Sequence, residues 1–360
     1  MRVLITGITG MAGSFLAEYL ADHQPNVEVF GTFRWRSKLD NLQDLRARGK
    51  LNVLDEGQRI TDQVSLSRFV KRGKVTVIDC ELQDASAVRG VVRAVRPDRI
   101  FHLAAQSFVP TSWTAPAATL TNNIVSEVNL FEAIRETKLD PVIHIAGSSE
   151  EYGLVYPDEA PIQESNPLRP LSPYAVSKVA QETLAIQFFR SYGLKCIVTR
   201  GFNHTGPRRG QVFATSSFAK QIAQIEAGLQ DPVLQGGDLD SKRDWTDTRD
   251  MVRAYWLATE RGTPGEVYNV GRGSCMRVGD MLDILLSHTS ARISVEQDPS
   301  RMRPSDVRLL WANVDKFKAA TGWEPTIPFE QTMADLLEYW RDRIRVLFPS
   351  EEPRLIAATP

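Results

Sequence analysis

The sequence has few cysteines, with only Cys80, Cys196 and Cys275 in 360 residues and no CxxC pair. This scarcity argues against a disulfide framework or a cysteine-based metal site, and we expect no bound metal. Reduced thiols are typical of the cytoplasm, which is the location we expect. No segment approaches the ~18 consecutive apolar residues that a membrane helix needs, so we expect no membrane partner. The apolar start runs into glycines rather than a leader cleavage site.

The sequence also lacks an excess of positive charge. Lysine and arginine number 43, aspartate and glutamate number 44, and the net charge is −1. Nucleic acid is therefore not an expected partner, because no basic excess is available to neutralise a phosphate backbone. The 42% of hydrophobic and 24% of charged residues are typical of a globular protein. At roughly 150 residues per domain, the length predicts about two domains.

Short runs rich in β-branched residues alternate with helix-length segments in the first part of the chain. These runs occupy residues 2–6, 27–31, 75–78, 99–103, 142–145 and 196–199. Their spacing predicts an α/β fold over residues 1–200, a doubly wound, Rossmann-like parallel sheet that binds NAD(P). Turn residues and shorter helical patterns follow, which predicts a smaller, mainly helical substrate domain over 201–345. Residues 346–360 are expected to be a flexible tail.

Three glycines, Gly7, Gly10 and Gly13, follow the first predicted strand and precede a predicted helix. Glycine permits a positive φ, lets the backbone approach a pyrophosphate, and leaves the helix N-terminus facing the anion. The position of the triplet predicts a dinucleotide site, with Thr9 and Met11 in the same turn. A flexible loop without a ligand is the alternative interpretation.

The second predicted strand is not followed by the carboxylate that usually binds the ribose 2′-hydroxyl of NAD. Arg34, Arg36 and Ser37 stand there instead. Arginine binds the dianionic 2′-phosphate of NADP through two parallel hydrogen bonds. We therefore expect NADP as the cofactor. A solvated loop is the alternative interpretation of these arginines.

A second group of polar residues follows the later predicted strands. Tyr174 and Lys178 are four residues apart, so they share one face of a helix. An ammonium favours the phenolate of a tyrosine and makes it a usable acid–base group, while the Ser148 hydroxyl can orient the substrate oxygen. Glu150 can remove a proton α to a ketone, or it can be a surface carboxylate. Glu151 is expected to point away, by strand alternation.

The order of these motifs resembles the extended short-chain dehydrogenase/reductase family. One set of segments resembles its GDP-mannose 4,6-dehydratases, namely 7–14, 103–109, 202–204, 207–210 and 242–245. Another set resembles the GDP-4-keto-6-deoxymannose reductases at least as much, namely 147–153, 168–174, 218–222 and 247–250. The resemblance spans residues 1 to about 340 and implies a nucleotide-sugar enzyme.

The resemblance also implies roles for individual residues. The implied catalytic residues are Ser148, Glu150, Tyr174 and Lys178. Further cofactor contacts are implied at Glu81, Leu82, Leu103, Ala104 and Ala105, together with Tyr174 and Lys178. The expected substrate contacts are Ser107, Ser149, Asn203, Arg208, Arg209, Arg243 and Arg303. Arg243 and Arg303 are chosen because a guanidinium matches diphosphate oxygens, whereas Arg208 and Arg209 can also form a solvated basic turn.

Several positions depart from the pattern of the dehydratases. Ser148 stands where they carry Thr, Glu81 where the family has Asp, and Ser216-Ser217 where they have an Arg-Lys pair that contacts the nucleotide sugar. The family motif Asn-x-x-Gly-Thr reads Asn-Ile-Val-Ser-Glu over 123–127. In the dehydratases, the loop that matches residue 34 to about 48 reaches the cofactor site of a neighbouring subunit. The resemblance therefore implies a homo-oligomer, a dimer or a tetramer.

The leading functional hypothesis is an NADP-dependent 4,6-dehydratase that converts GDP-mannose to GDP-4-keto-6-deoxymannose. The reaction oxidises C4, eliminates water across C5 and C6, and reduces C6. One alternative is the 4-reductase of the keto sugar, in which Glu150 is dispensable. A nucleotide-sugar 4-epimerase and a non-catalytic NADP-sensing protein are the others.

Overall fold

The computed structural model describes residues 1–54, 60, 62–301 and 307–348. The strands are β1 (Arg2–Thr6), β2 (Glu28–Phe33), β3 (Leu51–Val53), β4 (Val75–Asp79), β5 (Arg99–His102), β6 (Val142–Ala146), β7 (Lys195–Gly201), β8 (Asn203–Thr205), β9 (Val233–Gly236), β10 (Lys242–Arg243), β11 (Trp245–Asp247), β12 (Val267–Val270), β13 (Met276–Arg277), β14 (Ser294–Gln297) and β15 (Leu309–Leu310). The helices are α1 (Met11–His23), α2 (Gln43–Ala47), α3 (Gln63–Ser67), α4 (Ala85–Val95), α5 (Val109–Thr114), α6 (Pro116–Leu120), α7 (Ser126–Thr137), α8 (Pro173–Tyr192), α9 (Ala214–Glu226), α10 (Thr248–Arg261), α11 (Val278–Ser287), α12 (Asp315–Thr321) and α13 (Phe329–Leu347).

A parallel sheet of eight strands forms the centre of the described chain, in the order β12-β7-β6-β5-β1-β2-β4-β3. Its strands read as continuous apolar runs because helices cover both faces. In β1, for example, Leu4 packs in the layer of α4 and α7, whereas Val3 and Ile5 pack in the layer of α1 and α10. The predicted doubly wound parallel sheet is confirmed.

The sheet also contains two strands that the sequence pattern did not predict. β3 has three residues, and β12 lies beyond residue 200, where it pairs with β7. The nearby α10 packs against α1 in the layer beneath the sheet. The domain boundary at residue 200 stays a prediction. The segment 248–270, which follows that boundary, packs with the sheet formed by the first 200 residues. The predicted tail begins inside α13, which ends at Leu347, and residues 349–360 lie outside the described residues.

The smaller lobe is built mainly from α9, α11 and α13. Their apolar faces meet around Phe218, Leu282 and Leu336. Short strands complete it, with β10 between β13 and β15, and β9 beside β14. In the part of the chain that is described, no helix is both long enough and apolar enough to span a bilayer.

Candidate active site

A cavity of about 370 Å³ opens at the carboxyl ends of β1, β2, β5 and β6. This is where open α/β sheets bind ligands. Twenty of the residues predicted as site residues line it, namely Gly7, Thr9, Gly10, Met11, Gly13, Arg34, Ser37, Glu81, Leu82, Leu103, Ala104, Ala105, Ser107, Ser148, Ser149, Glu150, Tyr174, Lys178, Asn203 and Arg209. The fold thus brings seven separate segments of the sequence to one place.

The glycine turn has the geometry that a dinucleotide requires. Gly7 has φ +70°, and a Cβ added there would lie 2.8 Å from the Cα of Ala104. A Cβ on Gly13 would lie 2.4 Å from the carbonyl oxygen of Gly7, so α1 can pack this close only with glycine. Gly10 is the N-cap of α1 and supplies no side-chain cap. The start of this helix therefore faces the cavity without a blocking side chain, and the residues fit a pyrophosphate.

Replacing Gly7 by Ala is expected to destabilise the protein and to weaken NADPH binding. The left-handed backbone alone costs ~1–3 kcal/mol for a residue with a side chain. The contact with Ala104 adds to that cost and displaces the cavity wall. Gly193→Ala is the matched control, since Gly193 has φ +75° with no atom within 4 Å of an added Cβ. Thermal unfolding and NADPH titration would contradict the argument if both variants behaved alike.

Of the three residues after β2 that were predicted to bind the phosphate, two line the cavity and one does not. Arg34 and Ser37 line the cavity, and the Ser37 N–H donates to the Arg34 carbonyl at 2.7 Å. The guanidinium of Arg36 lies over the ring of the exposed Trp35, 4.7 Å from its centre, and Arg36 is outside the set of cavity-lining residues. Of the two arginines, Arg34 is the one placed to contact a 2′-phosphate.

Tyr174 and Lys178 lie on one face of α8, which begins at an N-cap serine and a proline in its first turn. Both side chains are buried, and the Lys178 ammonium donates to the Ala146 carbonyl at 2.8 Å. Burial lowers the pKa of Lys178 to about 8, although Glu127 and Glu151 oppose this. Burial raises the pKa of Tyr174 to about 12, against a hydrogen bond with Ser148. The tyrosine is thus a protonated acid at neutral pH until further positive charge is added near it.

Ser148 is the N-cap of a 3-10 turn, Ser149–Glu151, that follows β6, and Glu150 lies within that turn. The Ser148 hydroxyl accepts from the Glu150 N–H at 3.2 Å, and the Ser148 N–H donates to the Glu151 carboxylate at 2.6 Å. Ser148 and Glu150 thereby line the cavity while Glu151 is fully buried. Glu151 was expected to point away from the site because side chains alternate along a strand. That reason is wrong, because residues 149–151 form a turn and not a strand.

A buried arginine, Arg200, contacts residues of the turn Ser149–Glu151 and the residue that follows it. Arg200 makes two hydrogen bonds to Glu182, at 2.8 and 2.6 Å, and a third to the Tyr152 hydroxyl at 2.8 Å. Its guanidinium also lies 3.7 Å from Glu151. Glu182 and Tyr152 are fixed by this cluster, so the end of the turn Ser149–Glu151 has a defined position.

Two predicted substrate contacts lie away from the cavity, and a third is not described by the structure. Arg208 pairs with Glu18 at 2.8 Å and with Asp44, and it lies over the ring of Phe15. Arg208 is outside the cavity-lining set, so the structure does not bring it to the other predicted site residues, and its contact with substrate stays a prediction. Arg243 is buried on β10, also outside that set, and donates to the carbonyl of Lys242. Arg303 lies outside the described residues.

The cavity also contains aromatic residues that the sequence analysis missed. Phe213 lies under the Arg209 guanidinium, 3.5 Å from ring centre to the guanidinium carbon. Tyr255 comes from α10 and is buried near Tyr174. His204 comes from β8. His204 belongs to the motif segment 202–204, where only Asn203 was expected to contact the substrate. Phe213 and Tyr255 lie outside the motif segments, and Tyr255 reaches the site because α10 packs beneath the sheet.

Known proteins resemble this chain along most of its length. A family model described as GDP-mannose 4,6 dehydratase matches residues 4–336. The GDP-6-deoxy-D-mannose reductase of Pseudomonas aeruginosa is 34% identical over 249 residues, which cover 69% of this chain and 82% of that protein. The GDP-mannose 4,6-dehydratase of Yersinia enterocolitica is 30% identical over 367 residues, covering 93% and 92%. A solved structure of RMD from P. aeruginosa complexed with NADPH has a TM-score of 0.78 and 28% identity, covering 95% of this chain and 99% of that one.

Proposed function

Because the chain belongs to the GDP-mannose 4,6-dehydratase family, as its motifs predicted, we propose that it is an NADP-dependent nucleotide-sugar 4,6-dehydratase acting on GDP-mannose. The product is GDP-4-keto-6-deoxymannose. The observation that carries this proposal is the position of Glu150, which lines one cavity together with Ser148, Tyr174 and Lys178. A carboxylate there adds proton abstraction from carbon to the acid–base chemistry of the tyrosine.

Each side chain has a defined part in the proposed reaction. Tyr174 accepts the proton of the sugar O4, and Ser148 hydrogen-bonds that same oxygen. NADP, bound at the glycine-lined end of the cavity, supplies reversible hydride acceptance. Glu150 removes the proton from C5, which the C4 ketone has made acidic, and delivers it to the departing C6 hydroxyl as water. The hydride taken from C4 would then return to C6 while C5 takes a proton from solvent, and Tyr174 gives up the O4 proton to solvent. Lys178 supports the phenolate of Tyr174 through its positive charge.

NADP is the cofactor in this proposal, and the solved structure of RMD with NADPH supports it. Replacing Arg34 by Ala is expected to raise the Kd for NADPH about 10- to 100-fold, because a charged hydrogen bond to phosphate is lost. The Kd for NADH, which has no 2′-phosphate, is expected to stay the same. Arg36→Ala is the control, since Arg36 lies over Trp35 and outside the cavity-lining set. Equal losses for both nucleotides would contradict the role of Arg34.

A second candidate is the 4-reductase of the same keto sugar. The identity of 34% to the P. aeruginosa reductase, against 30% to the Y. enterocolitica dehydratase, favours it. In this reaction Tyr174 donates a proton to the O4 of the ketone while C4 is reduced. The C5 proton stays in place, so Glu150 has no chemical step.

Incubation of the purified protein with GDP-mannose, without added NADPH, tests the two candidates. Loss of one water in the mass of the sugar nucleotide, over many turnovers, is the expected result for the dehydratase. No change, but oxidation of NADPH when GDP-4-keto-6-deoxymannose is added, would identify the reductase. Inactivity with both substrates would overturn the proposal.

We also propose that copies of the chain associate, and that the protein works in the cytoplasm. Association is supported by an apolar groove of about 540 Å³ along α8, lined by Ile124, Val176 and Val179 among others. Val176 is 44% exposed, and contiguous exposed apolar surface favours contact with another protein surface. The cytoplasmic location is supported by the three cysteines, which are all unpaired.

A further inference from the structure

Tyr255, on α10, carries a hydroxyl that none of the roles above uses. The side chain is only 3% exposed, yet it lines the cavity. Among the described residues, the hydroxyl has no hydrogen-bond partner. A buried polar group without a partner is costly, so such a group in the wall of a cavity indicates a contact with the molecule that binds there.

The ring of Tyr255 is held in place by the core between the sheet and α10. It lies against the imidazole of His144, with 4.4 Å between the ring centres. His144 is itself fixed by a hydrogen bond of 2.8 Å with the Thr199 hydroxyl. The Tyr255 hydroxyl ends beside Gly201, where an added Cβ would lie 3.6 Å from its oxygen. The hydroxyl therefore has a defined position at the carboxyl end of β7.

Two other side chains lie near the same point, and neither offers a free donor. The Nδ1 atom of His204 is 3.9 Å from the added Cβ, as is the terminal methyl of Met251. Nδ1 is hydrogen-bonded to the Phe202 carbonyl at 3.1 Å, and it must donate because a carbonyl only accepts. The Tyr255 hydroxyl is therefore the donor that remains at this end of β7 among these three.

The course of a dinucleotide along the strand ends follows from the geometry of the cavity. The glycine turn after β1 fits the pyrophosphate, and Arg34, after β2, is placed for the 2′-phosphate of the adenosine half. The sheet order places β5, β6 and β7 on the other side of β1. A dinucleotide spans both halves of such a sheet. The nicotinamide half therefore lies over the ends of β5, β6 and β7.

Two tyrosines reach this half of the cavity from opposite faces of the sheet. Tyr174 comes from α8, which packs with α4 and α7, whereas Tyr255 comes from α10, which packs with α1. Tyr174 serves the reacting oxygen of the sugar, so Tyr255 is left for the nicotinamide base. On that base, only the carboxamide forms hydrogen bonds.

We propose that the Tyr255 hydroxyl donates a hydrogen bond to the carboxamide oxygen of the nicotinamide and thereby orients its ring beside Tyr174. Burial raises the pKa of Tyr255, so the hydroxyl keeps the proton that it donates. The proposal rests on NADP as the cofactor of the proposed function. It does not depend on which sugar reaction follows.

Replacing Tyr255 by Phe is expected to raise the Kd for NADPH about 3- to 10-fold, because one hydrogen bond between uncharged groups is lost. The Kd for 2′-phospho-ADP-ribose, which is NADP without its nicotinamide, is expected to stay the same. NADPH is titrated by its fluorescence on the purified full chain, and 2′-phospho-ADP-ribose by displacement of NADPH. The lost hydroxyl bonds to no described residue, so the variant is expected to fold.

Tyr268→Phe is the matched control. Tyr268 is also a buried tyrosine, but its hydroxyl accepts from the Thr263 N–H at 3.1 Å and it is outside the cavity-lining set. Both Kd values are expected to stay the same in this variant.

An unchanged Kd for NADPH in Tyr255→Phe would overturn the proposal. An equal loss for 2′-phospho-ADP-ribose would overturn it too, because it would indicate damage to the whole cavity. Absence of NADPH binding by the unsubstituted protein would refute it as well. The titrations need no sugar nucleotide. A protein that binds NADPH but acts on neither GDP-mannose nor the keto sugar would therefore refute the proposed function and still leave the role of Tyr255 tested.

Discussion

Replacing Tyr174 by Phe is expected to lower the turnover of nucleotide sugar by ~10²–10⁴-fold, the contribution typical of a positioned acid–base group. The hydroxyl lines the cavity beside Ser148, and a phenylalanine in its place has no proton to donate or accept. The aromatic ring is kept, and NADPH binding is expected to change little. The measurement is kcat with the substrate on which the unsubstituted protein acts, alongside titration with NADPH.

Tyr192→Phe is the control for this substitution. Tyr192 is the last residue of the same helix and is 49% exposed, so removal of its hydroxyl is expected to leave kcat unchanged. A Tyr174→Phe protein with normal turnover would place the acid–base chemistry on another residue. Loss of turnover together with NADPH binding would indicate damage to the cavity rather than loss of a proton donor.

Replacing Glu150 by Gln is expected to separate the two candidate reactions. Dehydration of GDP-mannose should fall by ~10²–10⁴-fold, because the amide cannot accept the C5 proton. Reduction of the 4-keto sugar by NADPH should continue, since it leaves C5 untouched. Mass spectrometry of the sugar nucleotide in heavy water provides a second measurement, because uptake of deuterium at C5 depends on the same proton transfer.

Glu136→Gln is a suitable control, as Glu136 is an exposed carboxylate paired with Arg89 at 2.7 Å. Undiminished dehydration in Glu150→Gln, with dehydration abolished in Tyr174→Phe, would remove Glu150 from the mechanism. The carboxylate would then be a surface group at the edge of the cavity.

The parts of the fold and site that could be predicted are those encoded by local patterns. A short apolar run followed by glycines at 7, 10 and 13 specifies a strand, a tight turn and a helix within one stretch of chain. The pair Tyr174 and Lys178 has helical spacing, and the structure places both on α8. Sheet order then brings these segments together, because the carboxyl ends of parallel strands lie at one edge.

The parts that could not be predicted depend on contacts between distant segments. Arg208 was expected at the substrate, but Glu18 and Asp44, more than 160 positions earlier, surround its guanidinium. Tyr255 enters the cavity because α10 packs on the sheet. A local stretch of sequence shows charge and hydrophobicity, but it does not show which distant residue a side chain will contact. The positions of Arg208 and Tyr255 therefore become known only from the folded structure.

The position of β12 at the edge of the sheet has a consequence for how the protein is made. β7 obtains its outer partner only after the chain has passed through residues 203–266, most of which belong to the second lobe. A ribosome that has delivered only the first 200 residues presents β7 with an open row of N–H and carbonyl groups, which invites pairing with another chain. The two lobes are therefore not interchangeable modules. The sheet is complete only once residues 267–270 have been made and β12 has paired with β7.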